Sequence, residues 1–135
     1  MKSPARIRVL YADDHPAMRK GIASILANEA DMELVGEASN GIEAVALHRT
    51  LRPDVTLIDL RMPELDGIAA SRAILKHTPG ARIIALTSYD GDQDIYRALD
   101  AGVRAYLLKE SAHLFHLPVA SVRAATSEPR SWGRI

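Results

Sequence analysis

Val55-Thr56-Leu57-Ile58-Asp59-Leu60-Arg61-Met62-Pro63 is a short apolar run that ends in a carboxylate and then breaks at a proline. Three other runs share that form. Ile7-Arg8-Val9-Leu10-Tyr11 leads to Asp13-Asp14, Arg82-Ile83-Ile84-Ala85-Leu86 to Thr87, and Val103-Arg104-Ala105-Tyr106-Leu107-Leu108 to Lys109. Short runs of this kind, separated by segments of helical period, imply parallel strands covered on both faces. In an open parallel sheet the ligand site lies beyond the carboxyl ends of the strands, where the strand order reverses. Asp13, Asp14, Asp59, Thr87 and Lys109 all fall at such ends.

Between the runs the pattern turns helical. Met18, Ile22, Ile25 and Leu26 recur at helical spacing behind Pro16, a residue suited to a first turn. Glu33-Leu34-Val35-Gly36-Glu37-Ala38 reads as a strand at or near a sheet edge. Asn40-Gly41 then opens a helix carrying Ile42, Val45 and Ala46, which must stop before Pro53. Asp66-Gly67 precedes a third helix with Ile68, Ser71, Ile74 and Leu75 on one side, ending at Pro79-Gly80. A fourth, roughly Asp92 to Ala101, is expected to bury Ile95, Ala98 and Leu99, with Gly102 as a left-handed C-cap. The alternation predicts an α/β fold of five strands and at least four helices joined by right-handed crossovers.

The last part is less regular. Pro118 inside a single helix over Ser111 to Thr126 would cost about 3 kcal/mol, so two helical pieces are expected, the second starting near Pro118. The domain is expected over residues 6–126, irregular from about 111, with a lead at 1–5 and a flexible tail at 127–135.

With 135 residues, 47% of them hydrophobic, one domain with a proper core is expected. A formal net charge of zero supplies no basic field for nucleic acid or an anionic membrane. Arg123, Arg130 and Arg134 are too few, and too mixed with Ser and Glu, to argue DNA binding. The absence of cysteine excludes disulfides and thiolate metal sites and suits a reducing cytoplasm. No stretch approaches a membrane span in apolar length, and Met-Lys-Ser-Pro-Ala-Arg is no signal-peptide core. A soluble cytoplasmic protein is the expectation.

Three carboxylates brought together repel. At an effective dielectric of 20, one pair about 4 Å apart costs on the order of 4 kcal/mol. Their pKa values must rise, or a cation must sit among them. Oxygen donors without His or Cys favour Mg²⁺, which keeps several waters and readily shares a phosphate oxygen. Lys109 adds fixed positive charge, and Thr87 offers a hydroxyl to a phosphoryl oxygen. A carboxylate facing this arrangement can act as nucleophile and form an aspartyl phosphate. His15 reads more simply as a capping or exposed residue at a helix start, and His113 with His116 lack a third metal ligand.

Taken in order, Ala12-Asp13-Asp14-His15-Pro16, Asp59-Leu60-Arg61-Met62-Pro63, Asp66-Gly67, Leu86-Thr87-Ser88-Tyr89 and Ala101-Gly102 through Lys109 resemble the receiver domain of bacterial two-component response regulators. The style is that of the NarL/FixJ (LuxR-type) group, and the resemblance spans about residues 6–110. It implies a flavodoxin-like, doubly wound parallel sheet of order 2-1-3-4-5 with helices on both faces. It further implies that Asp59 accepts a phosphoryl group from the phosphohistidine of a sensor histidine kinase. Asp14, Asp59 and the Arg61 backbone carbonyl would hold Mg²⁺, with Asp13 acting mainly through water. Thr87 would move toward the phosphoryl group and Tyr106 would then turn inward as a switch, controlling an output that in full-length relatives is transcription. Homodimerisation on phosphorylation is compatible with it. The protein would be a phosphoacceptor that assists its own phosphorylation and dephosphorylation, not an enzyme.

In that strand order, neighbouring strands lie about 4.8 Å apart, so short Asp side chains from strands one and three can share one ion. Lys109 stands two spacings from Asp59, roughly 10 Å at the backbone, a gap that only a long side chain closes. Arg61 and Tyr89 are expected to flank the path of an attacking water, where their bulk would slow hydrolysis of the phosphoaspartate.

Other functions fit less well. A haloacid-dehalogenase-type phosphohydrolase needs an acid two residues beyond its nucleophile, and Arg61 cannot donate a proton there. A flavin module needs a neutral phosphate loop after strand one, and Asp13-Asp14 would repel the phosphate. A pseudo-receiver that only binds partners sits poorly with the full acidic set. NarL/FixJ regulators usually carry a helix-turn-helix domain, and the stretch after Lys109 is too short for it. A stand-alone receiver or a shortened regulator is therefore expected, without direct nucleic-acid binding by this chain.

Overall fold

The computed structural model describes residues 6–88, 92–109 and 117–127. Strands β1 (Ile7–Ala12), β2 (Met32–Ala38), β3 (Val55–Asp59), β4 (Ile83–Thr87) and β5 (Ala105–Leu108) alternate with helices α1 (Pro16–Ala27), α2 (Gly41–Leu51), α3 (Gly67–His77), α4 (Asp92–Ala101) and α5 (Leu117–Ser127). They form one five-stranded sheet of order β2-β1-β3-β4-β5 in which every adjacent pair is parallel. This is the 2-1-3-4-5 arrangement that the family resemblance implied. The order reverses between β1 and β3, which places a crevice beyond the ends of those two strands.

Every residue of β3 and β4 is buried, the polar Thr56, Asp59 and Thr87 included, as in strands covered on both faces. Period-two alternation sends successive side chains to opposite faces. Tyr11, Leu57 and Leu107 pack with Ile22 and Leu26 of α1 and Val122 and Ala125 of α5. Ala12, Ile58 and Ala85 pack with Ala44 of α2, Ile68 and Ile74 of α3 and Ala98 of α4. The edge strand β2 carries one extra residue: Val9 pairs with Leu34 and Leu10 with Gly36, so Val35 bulges out of register.

The helix starts follow local chemistry. Pro16 sits in the first turn of α1. Asn40 caps α2 by accepting from the Glu43 amide at 2.8 Å, while the Glu43 carboxylate accepts in return from the Ser39 amide at 2.8 Å. Asp66 caps α3 through the Ala69 amide at 2.8 Å. Gly102 ends α4 at a φ of 108°. The helix α5 starts at Leu117 with Pro118 in its first turn. The expected earlier helical piece, His113, His116, the 1–5 lead and most of the 127–135 tail lie outside the described residues.

One core assignment is corrected. Leu99, expected inside, is 43% exposed, whereas Ala98 is fully buried. Side chains one residue apart on a helix diverge by about 100°. With Ala98 and Ala101 facing the sheet, Leu99 is turned to the rim.

Candidate functional site

The three ladder ends beside the crevice deliver charged side chains to one point. The Asp13 amide still donates to the Ala38 carbonyl at 2.9 Å, so β1 stays extended one residue past its end. The Asp13 carboxylate is wholly buried. It accepts from the Tyr11 hydroxyl at 2.8 Å and from the His15 amide at 2.9 Å. Asp59, 3% exposed, ends β3, and one of its oxygens accepts from the Arg61 amide at 3.1 Å. Lys109 reaches in from beyond β5 and lies 3.0 Å from Asp59 Oδ2 and 3.3 Å from Asp13 Oδ1. The long side chain spans the two-strand gap as its length allows.

The loop after Asp59 has little freedom. Its Leu60 amide donates to Leu86 O at 3.0 Å, and the Gly67 amide returns to Leu60 O at 2.9 Å. A Cβ on Gly67 would stand 2.1 Å from the Asp59 carbonyl oxygen, so only glycine lets the start of α3 fold back against the acceptor loop. The Asp66-Gly67 pair is thereby explained: one residue caps α3 and the other permits the close approach.

Asp13, Asp14, His15 and Asp59 each offer a ligand atom, all within 4.8 Å of one another. Asp14 Oδ1 is buried and accepts no hydrogen bond, although His15 Nδ1 lies 3.2 Å away. A buried carboxylate oxygen without a donor, among other oxygens, suits a hard cation such as Mg²⁺. The donor set therefore fits that ion.

The electrostatics divide the two central acids. Burial raises the Asp13 carboxyl, but the His15 amide, the Tyr11 hydroxyl and Lys109 together outweigh it and hold Asp13 below its ordinary value. Burial lifts Asp59 above its ordinary value, with the Asp13 charge adding, against the Arg61 amide and Lys109. Burial and the neighbouring Asp13 carboxylate also keep the Tyr11 hydroxyl protonated, as a donor to that carboxylate.

His15 takes a place that its sequence position left unforeseen. Its side chain makes no capping bond. The ring lies 3.0 Å from Asp13 Oδ1, and Lys109 Nζ approaches the same Nδ1 at 2.9 Å. Nδ1 can accept from the ammonium only when unprotonated and donate to the acid only when protonated, so one contact excludes the other. Its adjacency to Asp13-Asp14 at a helix start was the available signal.

Thr87 is buried at the end of β4, one register step beyond the Leu86 that pairs with Asp59. Tyr106, paired with Ala85, is 47% exposed and turned outward. Arg61 places its amide on Asp59 and its guanidinium on Asp94. Tyr89 lies outside the described residues.

The family model for the response regulator receiver domain matches residues 9–115. The chain belongs to that family. It is 45% identical over 106 residues to the response regulator protein VraR of Staphylococcus aureus, covering 78% of this chain and 51% of VraR. The chain thus spans about half the length of the curated relatives it matches. Among solved structures it resembles the signal receiver domain of NarL from Mycobacterium tuberculosis, with a TM-score of 0.83 at 32% identity, covering 93% of this chain and 100% of that one. The response regulator domain of Thermotoga maritima CheB superimposes with a TM-score of 0.82 at 31% identity, covering 92% and 98% of the two chains. This is therefore a receiver of the two-component type, similar to NarL- and LuxR-family receivers. No helix among the described residues is long and apolar enough to cross a membrane.

Proposed function

We propose that this receiver takes a phosphoryl group onto Asp59 from the phosphohistidine of a sensor histidine kinase, in a Mg²⁺-dependent reaction. The observation that carries the reading is Lys109 Nζ 3.0 Å from Asp59 Oδ2, with Asp13 and Asp14 sharing the space beside it. Asp14, Asp59 and the Arg61 carbonyl would hold the ion, and Asp13 would act on it through water. When bound, Mg²⁺ supplies charge neutralisation for the transferred group.

The Asp59 carboxylate forms the new O–P bond as the P–N bond to the kinase imidazole breaks, and the leaving imidazole takes up a proton. Burial raises the Asp59 carboxyl, while the Arg61 amide and Lys109 oppose the rise by stabilising its charge. Lys109 pairs with the acceptor before transfer and with a phosphoryl oxygen after it. The Thr87 hydroxyl binds another such oxygen, and Tyr106 turns inward from its exposed position. The phosphorylated form is then selected by its differential affinity for that arrangement.

The receiver unit over residues 6–126 works in the cytoplasm as an acceptor rather than an enzyme. It does not bind nucleic acid itself. Its similarity to NarL- and LuxR-family regulators supports transcription as the controlled output, with homodimerisation on phosphorylation as the coupling. Intact-mass measurement after treatment with acetyl phosphate tests the acceptor. One added phosphate that needs Mg²⁺, is lost in alkali and is absent from Asp59→Asn is expected. A labelled Asp59→Asn protein would remove the assignment, and no labelling of the wild type would favour a pseudo-receiver.

A further inference from the structure

Next to the acidic cluster lies a cavity of about 520 Å³, with Asp14 and Asp66 on its wall and Arg61, Asp94 and Arg97 also lining it. Arg61 Nε donates to Asp94 Oδ2 at 3.0 Å, and Arg97 Nη1 lies 3.7 Å from Asp94 Oδ1. The Asp94 side chain is 18% exposed, against 68% for Arg61 and 62% for Arg97. The carboxylate is the sheltered member and the two guanidiniums face water. Arg61 therefore joins two places at once. Its amide donates to the acceptor Asp59 at 3.1 Å, while its side chain crosses to the first turn of α4.

We propose that Asp94 is a positioning residue for the chemistry at Asp59: it holds the Arg61 guanidinium across the cavity, away from the acceptor, until a phosphoryl group competes for it. The exchange frees the first turn of α4 from the acceptor loop. This rests on Asp59 being the phosphorylated residue. A phosphoryl dianion offers about twice the charge of a carboxylate and three acceptor oxygens, and so can pair both sides of a guanidinium fork. Asp94 offers Arg61 a single Nε contact and shares its charge with Arg97. When Arg61 leaves, Arg97 stays beside Asp94 on the same helix, so the sheltered carboxylate is not stranded. A surface ion pair with no second arginine would resist opening more strongly. The plain reading is that Asp94 serves only as an acid near a helix N-terminus. That reading gives Arg61 no part, and the two separate experimentally.

Beryllofluoride, a non-covalent phosphoryl mimic, serves as the probe, titrated calorimetrically into the full chain with Mg²⁺. Asp94→Asn is expected to bind it roughly two- to fivefold more tightly than wild type, the range set by one exposed ion pair. In an Arg61→Gln background the same substitution should change affinity by less than half as much, and Asp94→Glu should return it toward the wild-type value. Equal tightening with and without Arg61 would assign the effect to the helix end and overturn the proposal. Unchanged or weaker binding by Asp94→Asn would overturn it as well. Failure of the wild type to bind beryllofluoride, or undiminished binding by Asp59→Asn, would instead overturn the acceptor assignment beneath it.

Discussion

Replacing Lys109 with alanine removes the ammonium that stands 3.0 Å from Asp59 Oδ2 and 3.3 Å from Asp13 Oδ1. Its side chain is 14% exposed, and those of its partners 4% and 0%, so solvent screens the contacts little. At an effective dielectric of 20, an ion pair at these distances is worth about 5 kcal/mol. Water and local relaxation offset part of that, and deleting one member of a buried pair costs about 3–5 kcal/mol. The loss is pH-dependent with a definite sign. Asp59 is already raised by burial, and without Lys109 it rises further. Its folded-state pKa then lies further above the unfolded value, so the folded variant holds a proton that the unfolded chain releases. That proton stabilises the variant below the raised pKa, and the benefit is lost as pH climbs through it. Urea denaturation of wild type and Lys109→Ala, with EDTA or with Mg²⁺, measures the difference. The stability gap should be widest at neutral pH in EDTA and should narrow on acidification or on adding Mg²⁺. A gap that stays constant across pH and metal would mean that Lys109 contributes packing, and the charge-balance account of the site would fail.

Two further outcomes follow from other positions. Gly67→Ala would place a Cβ 2.1 Å from Asp59 O and 2.7 Å from the Leu60 Cα, so backbone must move. A stability loss of about 1–3 kcal/mol is expected together with slower labelling by acetyl phosphate, and wild-type rates with an unshifted urea midpoint would contradict it. His48, buried on α2, has its pKa lowered by burial from the ordinary 6.5. The unfolded chain protonates first, so its contribution to stability is complete above about pH 6.5 and declines below it, at up to about 1.4 kcal/mol per pH unit. His48→Gln should flatten that decline in urea midpoints, and parallel curves would refute the assignment.

Much of the fold was legible because the interior strands leave no choice. Every residue of β3 and β4 is buried, and a continuous apolar run is the simplest sequence that satisfies both faces. The helix starts were legible where Pro16, Asn40-Gly41 and Asp66-Gly67 carry their own local chemistry. Other features depend on packing between elements and leave no such mark. The bulge at Val35 accompanies the seating of Gly36, where a Cβ would press on Leu51 at 2.7 Å and on Leu10 at 3.3 Å. The burial of Ala98 rather than Leu99 depends on how closely α4 approaches the sheet. His15 reached the acidic cluster only because Asp13 turns the chain there through the His15 amide.

The site was legible for a reason that can be put as parity. Asp13, Asp59 and Lys109 each stand two residues after Tyr11, Leu57 and Leu107, and those three pack together on the α1 and α5 side of the sheet. Side chains alternate along a strand, so residues two apart share a face. Asp13 and Asp59 are therefore delivered to one side at one level, and Lys109, two register positions beyond that level, reaches back to them with its long side chain. Thr87 stands two residues after Ala85, which packs on the α2, α3 and α4 side. By the same alternation it stands on the opposite face of the sheet, while Asp14, in the bend past β1, offers a ligand atom within 4.8 Å of those of Asp13 and Asp59. The crevice at the β1–β3 reversal thus holds the Lys109 pairing together with the unbonded Asp14 oxygen. A one-residue insertion before Asp59 would slip that strand end by one position and turn the acceptor away from Lys109. The charge pairing at the centre of the site is accordingly a property of strand register, set by the apolar residues that hold β1, β3 and β5 in place.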